Sequence, residues 1–251
     1  AGLVAPETDE KVIVRQYQEI KRPLIANAFG RRATRVKDGN IIMVTSAIAG
    51  EGKTFNTINL ALSMAQEKDY SVLLVDADVA KPHTSEIFGA SDEVGLLDLL
   101  EDASLSPDAA VLGTNYKGLQ ILPAGRPRVG ATELLASSRM EEILVALSGS
   151  AKHRVILLDS PPLLQTSEAK VLASLVGQVV VVVKAESTPQ DATRSAVAAL
   201  DHSKPINLVL NQVRSRAMEQ HYSYGVGRTE VSAPARAAES QAPEAPKSMW
   251  G

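Results

Sequence analysis

Residues 41–54, Ile-Ile-Met-Val-Thr-Ser-Ala-Ile-Ala-Gly-Glu-Gly-Lys-Thr, leave few folds open to the chain. The apolar, β-branched run from Ile41 to Thr45 predicts a buried strand. Ala47 to Thr54 then has the spacing of a phosphate-binding loop, with Ala47 standing where the first glycine of that pattern falls. Gly50 and Gly52 remain, and a residue without a Cβ lets the backbone close in on a ligand. A loop of this kind turns successive N–H groups inward toward an anion. The helix that follows adds its positive N-terminal end. Ile58, Ala61, Leu62 and Ala65 recur at helical spacing after the loop, so strand, loop and helix come in the order the motif requires. Lys53 supplies a mobile cation for the β- and γ-phosphates, and Thr54 a hydroxyl for Mg²⁺. Ala49, Gly50, Glu51, Gly52, Lys53, Thr54 and Phe55 form the candidate nucleotide-binding stretch.

Two further strands end in carboxylates. Ser71 to Val75 is an apolar β run closed by Asp76-Ala77-Asp78, and Val155 to Leu158 is closed by Asp159-Ser160-Pro161-Pro162. In open parallel sheets, ligands bind beyond the carboxyl ends of the strands. Beside a phosphate loop, Asp76 and Asp78 are placed to hold Mg²⁺ or to accept a proton from an attacking hydroxyl. Asp159 suits the Mg²⁺ of a bound nucleotide. Taken singly, each is also ordinary turn chemistry. Asn211, after the last predicted strand (Ile206 to Leu210), either reads a purine edge or caps a turn.

Elsewhere the chain alternates helix and strand, which predicts an α/β fold: a P-loop NTPase-like, mostly parallel sheet with helices on both faces. Lys11 to Phe29 reads as a helix broken near Arg22-Pro23, with Lys11, Arg15, Glu19, Lys21 and Arg22 on a solvated face. Ala80 to Lys117 is mostly polar around a short helix at Leu96 to Leu100. Leu119 to Leu122 is a strand, and Ala131 to Leu147 and Ser167 to Val176 are helices. Val179 to Val183 suits the centre of a sheet covered on both faces. Thr188-Pro189 starts another helix, with a capping hydroxyl and a proline in its first turn. The division expected is 1–30 as lead and helix, 31–213 as the P-loop domain, and 214–251 as a flexible tail. That tail is rich in Ala, Pro, Ser and Glu and has no apolar periodicity. It carries Tyr222 and Tyr224, which by composition alone read as solvated residues of a linker.

With no cysteine in 251 residues there is no disulfide framework and no thiolate metal site, which suits a reducing cytoplasm. The net charge of −3 gives no footprint for nucleic acid. The most apolar stretch, Val171 to Val183, is too short to span a bilayer. Charges at Glu7, Asp9, Glu10 and Lys11 precede any apolar run, so no signal peptide is expected.

Thr45 to Thr54, Val72 to Pro82 and Ile156 to Pro162 together resemble the bacterial tyrosine kinases, P-loop autokinases that accompany polysaccharide chain-length proteins. Gly95-Leu96-Leu97-Asp98, Leu122-Pro123-Ala124-Gly125 and a tyrosine-bearing tail are also similar to that family. Arg22 to Gly30 and Asp76 to Pro82 look closest to the type associated with exosortase systems. The resemblance implies ATP and Mg²⁺ as cofactors. It gives Lys53 the phosphates and Thr54 the metal. Asp76 would help to deprotonate the tyrosine hydroxyl, and Asp78 and Asp159 would support the metal. Tyr222 and Tyr224 would be the acceptors, supplied by a neighbouring subunit of a homo-oligomer. Glu19 and Arg22 match the family's oligomerisation pattern, with Ile25 in place of its last arginine. The implied partner is the cytoplasmic end of a membrane polysaccharide co-polymerase, which would hold the kinase at the inner face of the membrane. Two other classes remain: a partitioning ATPase of the MinD/ParA kind, which usually has an extra lysine early in the loop where Ala47 to Glu51 has none, and a non-catalytic ATP-binding regulator.

Overall fold

The structure is a computed structural model that describes residues 11–31 and 35–213. Seven strands form one sheet: β1 (Ile41–Ser46), β2 (Ser71–Asp76), β3 (Leu112–Gly113), β4 (Leu119–Leu122), β5 (Arg154–Asp159), β6 (Gln178–Lys184) and β7 (Ile206–Asn211). Their order is β3-β4-β2-β5-β1-β6-β7, and every pair is parallel except β3 with β4. The helices are α1 (Lys11–Phe29), α2 (Lys53–Ala65), α3 (His83–Ile87), α4 (Leu96–Glu101), α5 (Ala131–Leu135), α6 (Ser138–Gly149), α7 (Glu168–Leu175) and α8 (Gln190–Ala198).

The period-two alternation of the strands sorts their side chains into two cores. Met43, Leu73, Val75, Ile156 and Leu158 pack with α4 to α8 on one face. Ile42, Val44, Val72, Leu74, Val155 and Leu157 pack with α1 and α2 on the other. Strands β1 and β5 are buried along their whole length, which is why they read as continuous apolar runs. Val179 to Val182 of β6 are buried on both faces, although β6 lies one strand in from the β7 edge.

Three expectations change. Helix α1 is continuous through Pro23. Buried Tyr17, Leu24 and Ala28 fix it against its neighbours on both sides of the proline, and that packing outweighs the lost backbone bond. Lys21 is not on a solvated face: it is 5% exposed, donates to Ser63 O at 2.8 Å and pairs with Glu67 at 2.7 Å. The helix expected from Ala131 to Leu147 is two helices, α5 and α6. They divide where Ser137 turns both its N–H and its hydroxyl onto Leu134 O, offering the backbone an alternative to the helical bond. Helix α2 is buried well beyond one face, because α1 covers the side turned away from the sheet.

Candidate active site

The loop between β1 and α2 is shaped by two left-handed glycines, Gly50 at φ 81° and Gly52 at φ 93°. A Cβ at Gly52 would stand 2.2 Å from Asn211 Nδ2, so a side chain there would displace Asn211 as well as strain the left-handed backbone. Asn211 is placed beside this loop at the end of β7. Its amide donates to Glu51 O at 2.8 Å and braces the loop from the end of β7.

Glu51 is 1% exposed and points away from the cradle. It accepts from Ile48 N–H at 2.7 Å, from Lys184 N–H at 3.4 Å and from the Thr188 hydroxyl. Thr188 therefore ties the loop to the β6–α8 turn and makes no side-chain cap for α8, where Pro189 takes the N-cap position. Ala49 and Gly50 are exposed, and Phe55 is half-buried.

The carboxylates converge on this loop. Asp76 and Asp159 are register partners across β2 and β5, and β5 lies beside β1. Lys53 Nζ stands 3.8 Å from Asp78 Oδ2, and its charge also acts on Asp159. Asp159 accepts from Thr84 at 2.7 Å, lies 3.3 Å from the Thr57 hydroxyl, and is hydrogen-bonded by Thr54. Asp76 Oδ2 accepts both the N–H and the hydroxyl of Ser85, at 2.8 and 2.7 Å. Ser85 Oγ in turn accepts from Ala124 N–H at 2.9 Å. The stretches Gly95–Asp98 and Leu122–Gly125 support that contact. Leu96 and Leu97 N–H donate to the carbonyls of Pro123 and Ala124, which seats Ala124 behind Ser85.

Asp76 is 0% exposed and its Oδ1 has no hydrogen-bond partner. Burial pushes its carboxyl up to about 7; the Ser85 bonds oppose this, and the charges of Asp159 and Asp78 add to it. Burial also raises Asp78, against the attraction of Lys53, and raises Asp159, against the hydroxyls of Thr54 and Thr84. An orphaned, buried oxygen among carboxylates is where a hard cation fits. Among the described residues no set of three or more His, Cys, Asp or Glu is arranged to hold a metal alone. This suits Mg²⁺, which takes one or two carboxylates and fills its shell with waters and substrate phosphates.

Lys53, Thr54, Asp76, Asp78 and Asp159 are thus brought together as their motifs suggested. Tyr222 and Tyr224 lie outside the described residues. Sequence reading missed Thr57, Thr84 and Ser85. Their only signal was small hydroxyl residues next to motif residues: one turn beyond Lys53, and just past Lys81-Pro82.

A glycine cradle at the end of a central parallel strand, with a lysine and strand-end carboxylates around it, defines a P-loop nucleotide-binding domain. Residues 42–235 match the CobQ/CobB/MinD/ParA nucleotide binding domain. The tyrosine-protein kinase YwqD of Bacillus subtilis is 33% identical over 186 residues, 73% of this chain and 76% of its own length. The VpsO kinase domain superposes with a TM-score of 0.64 at 30% identity, over 80% of this chain and 98% of that one. The chimerical protein CapA2B2 shares the fold, with a TM-score of 0.72 at 24% identity over 84% of this chain and 90% of its own. The chain belongs to the CobQ/CobB/MinD/ParA nucleotide-binding domains and, within them, to the bacterial tyrosine-protein kinases. It spans about a quarter of the length of the longer curated relatives, at 24% and 26%. Among the described residues no helix is long and apolar enough to cross a membrane.

Proposed function

We propose that this chain is an autokinase that passes the γ-phosphoryl group of ATP to Tyr222 and Tyr224 of residues 214–251, with 31–213 as the kinase core and 1–30 as its lead. The observation that carries the reading is Asp76: a buried carboxyl with one oxygen held by Ser85 and the other unpartnered, beside the lysine-bearing loop. In the nucleotide-free protein, burial pushes this carboxyl up to about 7, so the site favours a positive partner, proton or cation. In the transfer, the tyrosine oxygen bonds to the γ-phosphorus as the bond to the β–γ bridging oxygen breaks. ADP leaves, and the phenolic proton passes to Asp76 Oδ1.

The backbone N–H groups of 49–55 hold the phosphates, Lys53 neutralises their charge, and Asp78 orients Lys53. Thr54, Asp76 and Asp159 would hold Mg²⁺, which supplies charge neutralisation at the β- and γ-phosphates. The catalytic gain is positioning and electrostatics. Asn211, whose amide nitrogen is held on Glu51 O, would contact the base edge of the bound nucleotide.

From the resemblance of its motifs to the bacterial tyrosine kinases, the chain would regulate exopolysaccharide or capsule synthesis, and Arg22 to Gly30 with Asp76 to Pro82 suggest a system of the exosortase-associated type. It works as a homo-oligomer at the inner face of the membrane, through the cytoplasmic end of a polysaccharide co-polymerase. Protein incubated with radioactive ATP should be labelled on Tyr222 and Tyr224. Lys53→Ala should abolish the label, and the double variant Tyr222→Phe, Tyr224→Phe should remove most of it while still binding ATP. Undiminished label in Lys53→Ala would overturn the site.

A further inference from the structure

One relay of side chains joins α1 to the phosphate loop. Tyr17, 4% exposed on α1, donates its hydroxyl to Asn56 Oδ1 at 2.9 Å. Asn56 Nδ2 donates to Gly52 O at 2.9 Å, and the backbone N–H of Asn56 reaches the same carbonyl at 3.0 Å. The polarity of this relay is fixed by its ends. A carbonyl only accepts, so the amide nitrogen of Asn56 must face Gly52, leaving the amide oxygen toward Tyr17. The Asn59 side chain hydrogen-bonds the phenol as well, and its own amide is anchored on Phe55 O at 2.8 Å. The phenol is therefore the donor that satisfies Asn56 Oδ1.

The held carbonyl matters because a peptide is planar. The Gly52–Lys53 peptide carries Gly52 O on one side and Lys53 N–H on the other. Fixing the oxygen aims that N–H, at the left-handed turn of φ 93°, into the anion cradle. Asn56 sits one turn beyond the loop and itself faces away from the cradle, toward α1.

We propose that Tyr17 is a positioning residue for phosphate binding, acting through Asn56 on the Gly52–Lys53 peptide, so that the docking of α1 sets nucleotide affinity. This rests on the nucleotide site proposed above. Two further polar side chains of α1, buried Lys21 and half-buried Asn27, anchor the helix away from the loop. Lys21 holds Ser63 O, and Asn27 donates to Gln178 Oε1 at 2.8 Å. They provide the control.

Mg-ADP binding to the full chain is measured by calorimetry alongside its thermal midpoint. Tyr17→Phe should weaken binding about fivefold to tenfold, the scale of one lost buried hydrogen bond. Lys21→Met should lower the midpoint and leave the binding constant unchanged. Asn56→Ala should weaken binding as Tyr17→Phe does, and adding Tyr17→Phe to it should do nothing more. A wild-type binding constant in Tyr17→Phe overturns the inference. So does a further loss in the Asn56→Ala background, or an equal loss in Lys21→Met, which would make the effect a general loosening of α1. Failure of the unaltered protein to bind Mg-ADP would instead remove the nucleotide site, and the inference with it.

Discussion

Asp76→Asn should stabilise the nucleotide-free protein at alkaline pH while it destroys phosphoryl transfer. In the folded chain the Asp76 carboxyl titrates at about 7, against an ordinary value of 3.8. The folded state therefore holds its proton over a pH range in which the unfolded state has already released it. Stability falls as pH rises from about 4 and levels off above about 7, since the proton-binding difference has the folded state ahead throughout that window. The full difference corresponds to about 4 kcal/mol at about 1.36 kcal/mol per pH unit. Loop relaxation and water entry at an open site bring the expected figure to about 2 kcal/mol. For a domain of this size that raises the melting temperature of Asp76→Asn by about 4–8 °C at pH 8. The gap should shrink to about a few tenths of a kcal/mol near pH 4, where folded Asp76 is neutral and the unfolded carboxyl about half protonated, and close below that. Thermal melts of both proteins, without nucleotide or divalent cation, at intervals between pH 4 and 8.5 test this. No rise at pH 8, or a rise that is the same at every pH, would refute the reasoning; the latter would assign the effect to packing.

Two other substitutions probe the loop itself. Gly52→Ala combines a left-handed φ with a Cβ 2.2 Å from Asn211 Nδ2, so it should lose nucleotide binding by more than tenfold in a calorimetric titration while the far-ultraviolet spectrum stays native. Glu51→Ala leaves the Ile48 N–H and the Thr188 hydroxyl without their acceptor and should lower stability by about 1–3 kcal/mol in a urea melt.

The parts of the site that were legible in the sequence are those held in place by the backbone alone. A phosphate loop is a local spacing, and a strand-end aspartate is carried to the sheet edge by its own strand. Lys53, Thr54, Asp76, Asp78 and Asp159 could therefore be found without knowing how the strands order. Ser85 and Thr84 could not, because they act from a five-residue helix hidden in a polar stretch. Glu51 was legible as a member of the nucleotide-binding stretch, but the role of its side chain was not. Its side chain is turned away by Lys184 and Thr188, more than 130 residues later, at separations of 133 and 137. Pro23 misled for a similar reason: local propensity favours a break, and buried contacts on both sides of it favour continuity.

Burial alone does not mark a functional aspartate, as two neighbours in this fold make plain. Asp98 is 8% exposed, and both of its oxygens are satisfied: Oδ2 by the N–H groups of Gly95 and Arg126, Oδ1 by Arg128 at 3.0 Å. It closes the start of α4 against the Pro123–Gly125 turn, and each of its oxygens has a donor. Asp76 is more deeply buried, yet one oxygen has no donor, and the like charges of Asp159 and Asp78 act on it. A fold selecting only for stability would fill that place with an amide or a hydrocarbon. Keeping an ionisable group there makes sense when a positive charge, from a proton or a cation carried in with phosphates, completes the site from outside. The imbalance is local: Lys53 answers to Asp78 and Asp159, Thr84 and Thr57 to Asp159, and Ser85 to only one side of Asp76. What remains unanswered is the Oδ1 of Asp76 at the end of β2, and under the proposed transfer that carboxylate is the group free to receive the hydroxyl's proton.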